Sequence, residues 1–171
     1  MKKSIVLGGG CFWCIEAIYQ RVQGVVGVRS GYAGGSSSEP DYYNHADHAE
    51  TIEASYDPSV VSLETLLDVF FHVHDPTTLN CQGNDVGAQY RSSVLHGQDE
   101  GDTVRKVRDA AQADWSNKIV TEIKPLTVFT EAEDLHQNYY NQNRDRNPYC
   151  QVVIDPKLAK FYERFADLVK E

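Results

Sequence analysis

The 171-residue chain is 41% hydrophobic and 24% charged, and carries a formal net charge of -9. That length suits one domain over residues 1–171 with a sizeable core. The acidic balance argues against phosphate backbones and anionic membrane surfaces, so no nucleic-acid or membrane partner is expected.

The opening MKKSIVL resembles the start of a signal peptide, but its apolar stretch is too short and polar residues soon follow. A cytoplasmic monomer is expected. Four cysteines at irregular positions are too few for a disulfide scaffold, so catalysis or metal binding is the better default. KSIVLGG reads as a buried strand ended by glycines. CFWCIEAIYQRVQG has helical spacing and stops at Gly24. VVGVRSGYAGG reads as a strand, SSSEPDYYNHAD as a polar loop, and HAETIEASYDPS as an alternating strand.

SLETLLDVFFHVH predicts a helix capped by Ser62, with Leu63, Leu66, Leu67 and Phe70 on its apolar face. DPTTLNCQGNDVGAQ reads as a loop, YRSSVLHG as a strand and DEGDTVRKVRDAAQADW as a surface helix. TEIKPLTVFT predicts one strand kinked at Pro125, AEDLHQNYYNQN a helix, RDRNPYCQ a polar loop and PKLAKFYERFADLV a terminal helix. Strands and helices alternate without strict βαβ repetition. The expected fold is α+β, a two-layer sandwich of a mixed, mainly antiparallel sheet with packed helices.

The chemistry concentrates in GGGCFWC. Cys11 follows a predicted strand and opens a predicted helix, whose N–H groups favour an anion and should lower the thiol pKa. The alternative is a buried, inert cysteine. Phe12 and Trp13 are either the walls of an apolar pocket or ordinary core residues. Glu50, near the start of a strand, is a general acid if burial raises its pKa, and otherwise a solvated carboxylate. Asp85 lies in a loop rich in Gly and Asn, where aspartate commonly forms turns, and Tyr90 just follows it. CFWC also fits a thioredoxin-like disulfide oxidoreductase. Cys11 and Cys14 with His45 and His48 offer a zinc site, although HADH is tighter than typical finger spacing.

GCFW, GYAGG, HAE, YDPS, HDPTTLN, QGNDVGAQYRS and LHQNYY occur in that order. From about Ile5 to Cys150 the sequence resembles the A-class peptide methionine sulfoxide reductases. The resemblance implies a ferredoxin-like core and reduction of methionine-S-sulfoxide, free or in proteins, without cofactor or metal. Cys11 matches the catalytic cysteine, and Phe12 and Trp13 the pocket for the substrate methyl. Glu50 matches the proton donor, Tyr42 and Tyr90 the tyrosines that bond the sulfoxide oxygen, and Asp85 a site-shaping carboxylate. His136 and Tyr139 fit the pattern near the substrate. Cys150 aligns with a resolving cysteine, with thioredoxin or a similar dithiol as reductant.

The chain departs from the family in four places. Position 14 is Cys where Gly is common. Cys81 replaces a basic residue before QGND. The stretch from Tyr42 to Glu50 is short, and a predicted helix replaces the Gly-rich tail after Cys150.

The chemistry fits these residues. A sulfoxide sulfur is electrophilic when its oxygen is protonated, so the site needs a thiolate on one side and acidic O–H donors on the other. Attack leaves a Cys11 sulfenic acid that a second thiol condenses with. Burying one methyl is worth only about 0.8 kcal/mol. A site built to bond the oxygen rejects an analogue lacking it by about 10⁴. The aromatic pocket should therefore choose the epimer by shape. Cys14, Cys81 and Cys150 all remain open as the second thiol. Mobility favours Cys150; Cys14, three residues from Cys11, is too far to bond in a regular helix, but a bond becomes possible if Cys11 is the N-cap or precedes it.

Overall fold

The first glycine-ended apolar run and the alternating segment after it pair as neighbours. They anchor a sheet that places Cys11 at its edge of exit. The computed structural model describes residues 1–170. Among them β1 is Lys3–Gly8, α1 Phe12–Tyr19, β2 Val25–Ala33, β3 Ala49–Tyr56 and α2 Leu63–Val73. A short hairpin follows, β4 Cys81–Gln82 with β5 Asp85–Val86, and then β6 Ser93–His96 and α3 Gly101–Ala111. The remainder is β7 Glu122–Pro125, β8 Phe129–Glu131, α4 Tyr139–Asn143 and α5 Asp155–Arg164.

The large sheet has the order β7-β6-β1-β3-β2-β8. All its pairings are antiparallel except β6 with β7. Its centre, β6-β1-β3-β2, with α1 after β1 and α2 after β3, is the expected ferredoxin-like core. Helix α1 packs on β2 and β3, burying Phe12, Cys14, Ile15, Ile18 and Tyr19. Ser62 caps α2 as expected, its Oγ accepting from the Thr65 N–H at 3.1 Å. No helix among the described residues is long and apolar enough to cross a membrane.

The segment expected as one kinked strand is two strands on opposite edges of the sheet. Pro125 has no N–H to continue a ladder, and it ends β7. Four residues of extended chain reach only ~14 Å, whereas five flat strand spacings need ~24 Å. The sheet is therefore curled so that its edges approach. Leu126 and Phe129 pack into the resulting hollow against Val6, Ala33 and Leu95.

Three further expectations are corrected. The helix over AEDLHQNYYNQN is broken, with a 3-10 turn at Asp134–His136, a left-handed Asn138 (φ 56°) and the short α4. The Glu16 carboxylate accepts from the Asn138 and Tyr139 N–H groups at 2.9 and 3.2 Å, which pins that break onto α1. Nor is Cys150 in a polar loop: Cys150–Ile154 is a π-helical turn that runs into α5 and buries Cys150 and Ile154. The DPTTLNCQGNDVGAQ loop likewise contains the β4–β5 hairpin.

Candidate active site

Gly10 turns the chain out of β1 with φ +93°, and a Cβ there would lie 2.7 Å from Gln82 Cγ. Only glycine tolerates both constraints. The turn delivers Cys11 as the N-cap of α1, in a non-helical conformation (φ −59°, ψ 129°). Its side chain is only 7% exposed. Burial pushes the Cys11 thiol well up, aided by Cys14 and the charge of Glu50. The backbone N–H of Trp13 in the first turn pulls the other way and is outweighed. The expected lowering at a helix start is thus overturned by desolvation, which is the larger effect in so closed a site.

Glu50 is on β3, 3% exposed, and its Oε1 accepts from the Phe12 N–H at 3.2 Å. The carboxyl therefore meets the same helix N-terminus as the Cys11 thiol. Burial above all, then the charges of Asp85 and Cys14, raise its pKa to about 7 against the Phe12 bond. At neutral pH a substantial fraction carries a proton. Tyr42 is driven up to about 12 by burial and then by Glu50 and Cys11. Tyr90, at the end of a 3-10 turn, is raised by burial and by Glu50, Asp85, Cys11 and Tyr42. Both phenols stay protonated donors, and both feel the charges of the thiol and the carboxyl. The short Tyr42–Glu50 stretch does not carry Tyr42 away.

Aromatic rings surround this polar cluster. Trp13 stacks on Tyr139 with centroids 3.7 Å apart, and Tyr42 stacks on His136 at 4.3 Å. Phe12 lies 5.5 Å from His136 and 6.4 Å from Tyr42. The Trp13 indole N–H donates to His136 Nδ1 at 3.3 Å. Burial lowers the His136 pKa, which keeps that nitrogen a neutral acceptor. Phe12 is a fully buried base, while Trp13 and Tyr42 are partly exposed, as a wall open to a small apolar group requires.

Three contributors were not legible as site residues in the sequence. Glu133 takes the Tyr32 hydroxyl at 3.0 Å and the Tyr42 N–H at 3.3 Å, fixing the loop that bears Tyr42. The Tyr149 hydroxyl donates to Asp85 Oδ2 at 2.7 Å and lies 3.7 Å from Cys14 Sγ. Its ring meets Trp13 edge-on at 5.9 Å. Glu16 holds the start of α4, and thus Tyr139, against α1. The signal available for Tyr149 was its place beside Cys150.

The other thiols differ in position. Cys14 and Cys150 are fully buried, and Cys81 is partly exposed at the start of the β4–β5 hairpin. Cys14 lies against Cys11, and that contact brings its pKa to about 7 despite burial. Burial raises the Cys150 thiol, and the charge of Cys14 raises it further. The proposed zinc ligands are not assembled. His48 accepts from the Gly35 N–H at 3.0 Å and bonds Ser37 O at 2.7 Å, which uses both ring nitrogens. No group of three potential metal-binding side chains occurs among the described residues.

Comparison with known proteins gives a consistent result. The family described as Peptide methionine sulfoxide reductase matches residues 3–168. The Peptide methionine sulfoxide reductase MsrA of Saccharolobus solfataricus is 46% identical, covering 96% of this chain and 95% of its own. The reduced form of Mxr1 from Saccharomyces cerevisiae has a TM-score of 0.80 at 37% identity, covering 85% of this chain and 88% of its own. Mxr1 in complex with Trx2 matches at a TM-score of 0.59 and 33% identity, over 79% and 84% of the two chains.

Proposed function

The chain belongs to the peptide methionine sulfoxide reductase family and reduces methionine sulfoxide, and from that premise we propose that Cys11 attacks the sulfoxide sulfur while Glu50 protonates its oxygen. The observation that carries this reading is the meeting of both groups at the first turn of α1, with Phe12 N–H bonded to Glu50.

The proton balance supports it. The resting Cys11 is held as a thiol by burial, and Glu50 with a pKa of about 7 is partly protonated. Glu50 gives its proton to the sulfoxide oxygen and receives the Cys11 proton as the thiolate attacks. The substrate S–O bond breaks, and the oxygen ends on Cys11 as a sulfenic acid. The substrate sulfur gains two electrons and leaves as methionine; Cys11 loses two. Tyr42 and Tyr90, kept protonated, donate to the oxygen as charge develops on it. Asp85 raises the pKa of Glu50 through its charge and anchors Tyr149.

The aromatic wall of Phe12 and Trp13 receives the S-methyl group and so selects the (S)-epimer. The sulfenic acid is resolved by an intramolecular thiol, with Cys150 part of that route, and an external dithiol then reduces the disulfide. The Mxr1–Trx2 complex supports a thioredoxin-type reductant. The test is a single-turnover assay without reductant on the two epimers of methionine sulfoxide. One methionine per enzyme from the (S)-epimer is expected, and comparable rates on both epimers refute the shaped pocket.

A further inference from the structure

We propose that Gln137 is a positioning residue for the methyl pocket: its side-chain amide fastens the turn between His136 and Tyr139 to β2, and epimer selection at sulfur depends on that fastening. The inference rests on the aromatic wall receiving the S-methyl group, as proposed above.

The β2–β8 ladder ends at Ser30 and Ala132. Gly31, Tyr32 and Ala33 pair with Glu131, Thr130 and Phe129 in antiparallel register, which sets Ser30 opposite Ala132. One bond of that pair is made, from the Ala132 N–H to Ser30 O at 2.8 Å. The return bond is replaced by the Gln137 amide. Its Oε1 accepts from the Ser30 N–H at 2.8 Å, and its Nε2 donates to Ala132 O at 3.0 Å. Nε2 also donates to Ser30 O at 2.8 Å. Ser30 and Ala132 are buried, so these backbone groups need partners within the protein. The glutamine side chain stands in for a ladder bond and is gripped from both strands.

What it fastens is the pocket wall. The next residue, Asn138, is left-handed (φ 56°) and gives its N–H to Glu16 Oε2 at 2.9 Å. Gln137 thus ties the turn to the sheet, and Glu16 ties it to α1. On either side of this bracket stands a ring that meets Trp13. His136 takes the indole N–H at 3.3 Å, and Tyr139 stacks on the indole with centroids 3.7 Å apart. His136 also stacks on Tyr42 at 4.3 Å. The reacting groups come from elsewhere, Cys11 from the β1–α1 corner and Glu50 from β3. Loosening the bracket moves the wall and leaves them in place.

With the sulfoxide oxygen and the amino-acid chain fixed, the two epimers exchange the methyl group and the lone pair on sulfur. Only a wall held in one position tells them apart. Discrimination by one methyl-sized group in an apolar pocket is worth about 10–200-fold.

The experiment is a single-turnover assay without reductant on each epimer of N-acetylmethionine sulfoxide over a range of concentrations. Gln137→Met keeps the length and loses all three bonds. Its ratio of (S) to (R) specificity should fall about tenfold or more. Half-saturation by the (S)-epimer should need more substrate, with the saturating rate within about twofold of the unmutated chain. Gln137→Glu carries the test if the methionine variant does not fold. Its carboxylate accepts the Ser30 N–H but opposes the Ser30 and Ala132 carbonyls, whereas its protonated form donates to one of them. Selectivity should be low at pH 8 and recover as pH falls to about 5. The epimer ratio cancels the pH dependence of Glu50, which both epimers share. An unchanged ratio in folded Gln137→Met overturns the proposal, as does a ratio in Gln137→Glu that is the same at both pH values. An equal loss of rate on both epimers also overturns it, and would mark Gln137 as structural only. Failure of the pocket reading is distinguishable: the unmutated chain would then reduce both epimers at comparable rates.

Discussion

The Glu50 carboxylate accepts the Phe12 backbone N–H at 3.2 Å, in the same helical turn that Cys11 caps. One helix N-terminus thus faces both the attacking atom and the acid. Strand β3 supplies the carboxyl and the β1–α1 corner supplies the thiol, so neither depends on a mobile loop.

Glu50→Gln retains the shape and the bond to Phe12 but has no proton to transfer. The single-turnover rate should fall by about 10² or more. In the unmutated chain the acid form of Glu50 is lost as pH rises through about 7, so that rate should decline above neutrality. The decline should be absent in the variant. A variant with the unmutated rate would mean that Tyr42 and Tyr90 suffice as donors.

The same shift has a stability consequence. The folded pKa of Glu50, about 7, lies above its ordinary value of 4.5, so the native state holds the proton more tightly than the unfolded chain. Stability is therefore lost as pH rises from about 4.5 to 7 and is level above that. Removing the ionisable group should make Glu50→Gln more stable than the unmutated chain at pH 8, by on the order of 3 kcal/mol. At pH 4 the difference should shrink towards zero. Urea unfolding at both pH values checks it, and an equal difference at both would contradict the buried-acid account.

Glu133→Ala removes the acceptor for the Tyr32 hydroxyl and the Tyr42 N–H. Tyr42 then loses its fixed place over His136. A drop in kcat/KM of roughly tenfold is expected from loss of the charge-assisted bond that holds the Tyr42 N–H, with Cys11 still reactive in the first turnover. Glu133→Gln, which retains an acceptor, should recover most of it. An unaltered kcat/KM in the alanine variant would show that Tyr42 is held by stacking alone.

Ser62→Ala deletes the cap on α2, whose Oγ receives the Thr65 N–H. The cost should be about 1 kcal/mol, a fall of about 2–4 °C in Tm for a chain of this size. Thermal unfolding should show that fall with the sulfoxide reductase rate unchanged, because α2 supplies no residue to the site.

Those parts of the molecule set by local pattern were legible in the sequence. The apolar run before Gly8, the spacing of α1 and α2, and the Ser62 cap each follow from near neighbours. Cys11 could be placed at a strand-to-helix corner because three glycines mark it. Its pKa could not, because the sign is decided by burial in the folded chain, which no local pattern reveals. Glu50 carries no local sign of its role: its partner Phe12 is 38 residues away. Tyr149 is hidden for the same reason, with Cys14 and Asp85 at separations of 135 and 64 residues. Strand β8 reads as the continuation of β7 because three residues give too little pattern to stand alone; it exists through pairing with Gly31–Ala33, where Phe129 covers Gly31 so closely that a Cβ would clash with its ring. Cys150 read as loop because Asn147-Pro148 punctuates the chain, yet Pro148 opens the helical turn that buries the next thiol.

The account is tested most directly by following Cys11 itself through one turnover. Enzyme with Cys14→Ser and Cys150→Ser combined is mixed with methionine-S-sulfoxide and dimedone, without reductant, and the methionine formed is counted against labelled peptide. The account predicts one methionine per enzyme with the label on Cys11, and neither methionine nor label when Cys11→Ser is added. Methionine formed by the Cys11→Ser enzyme, or a label on Cys81 in place of Cys11, would contradict it.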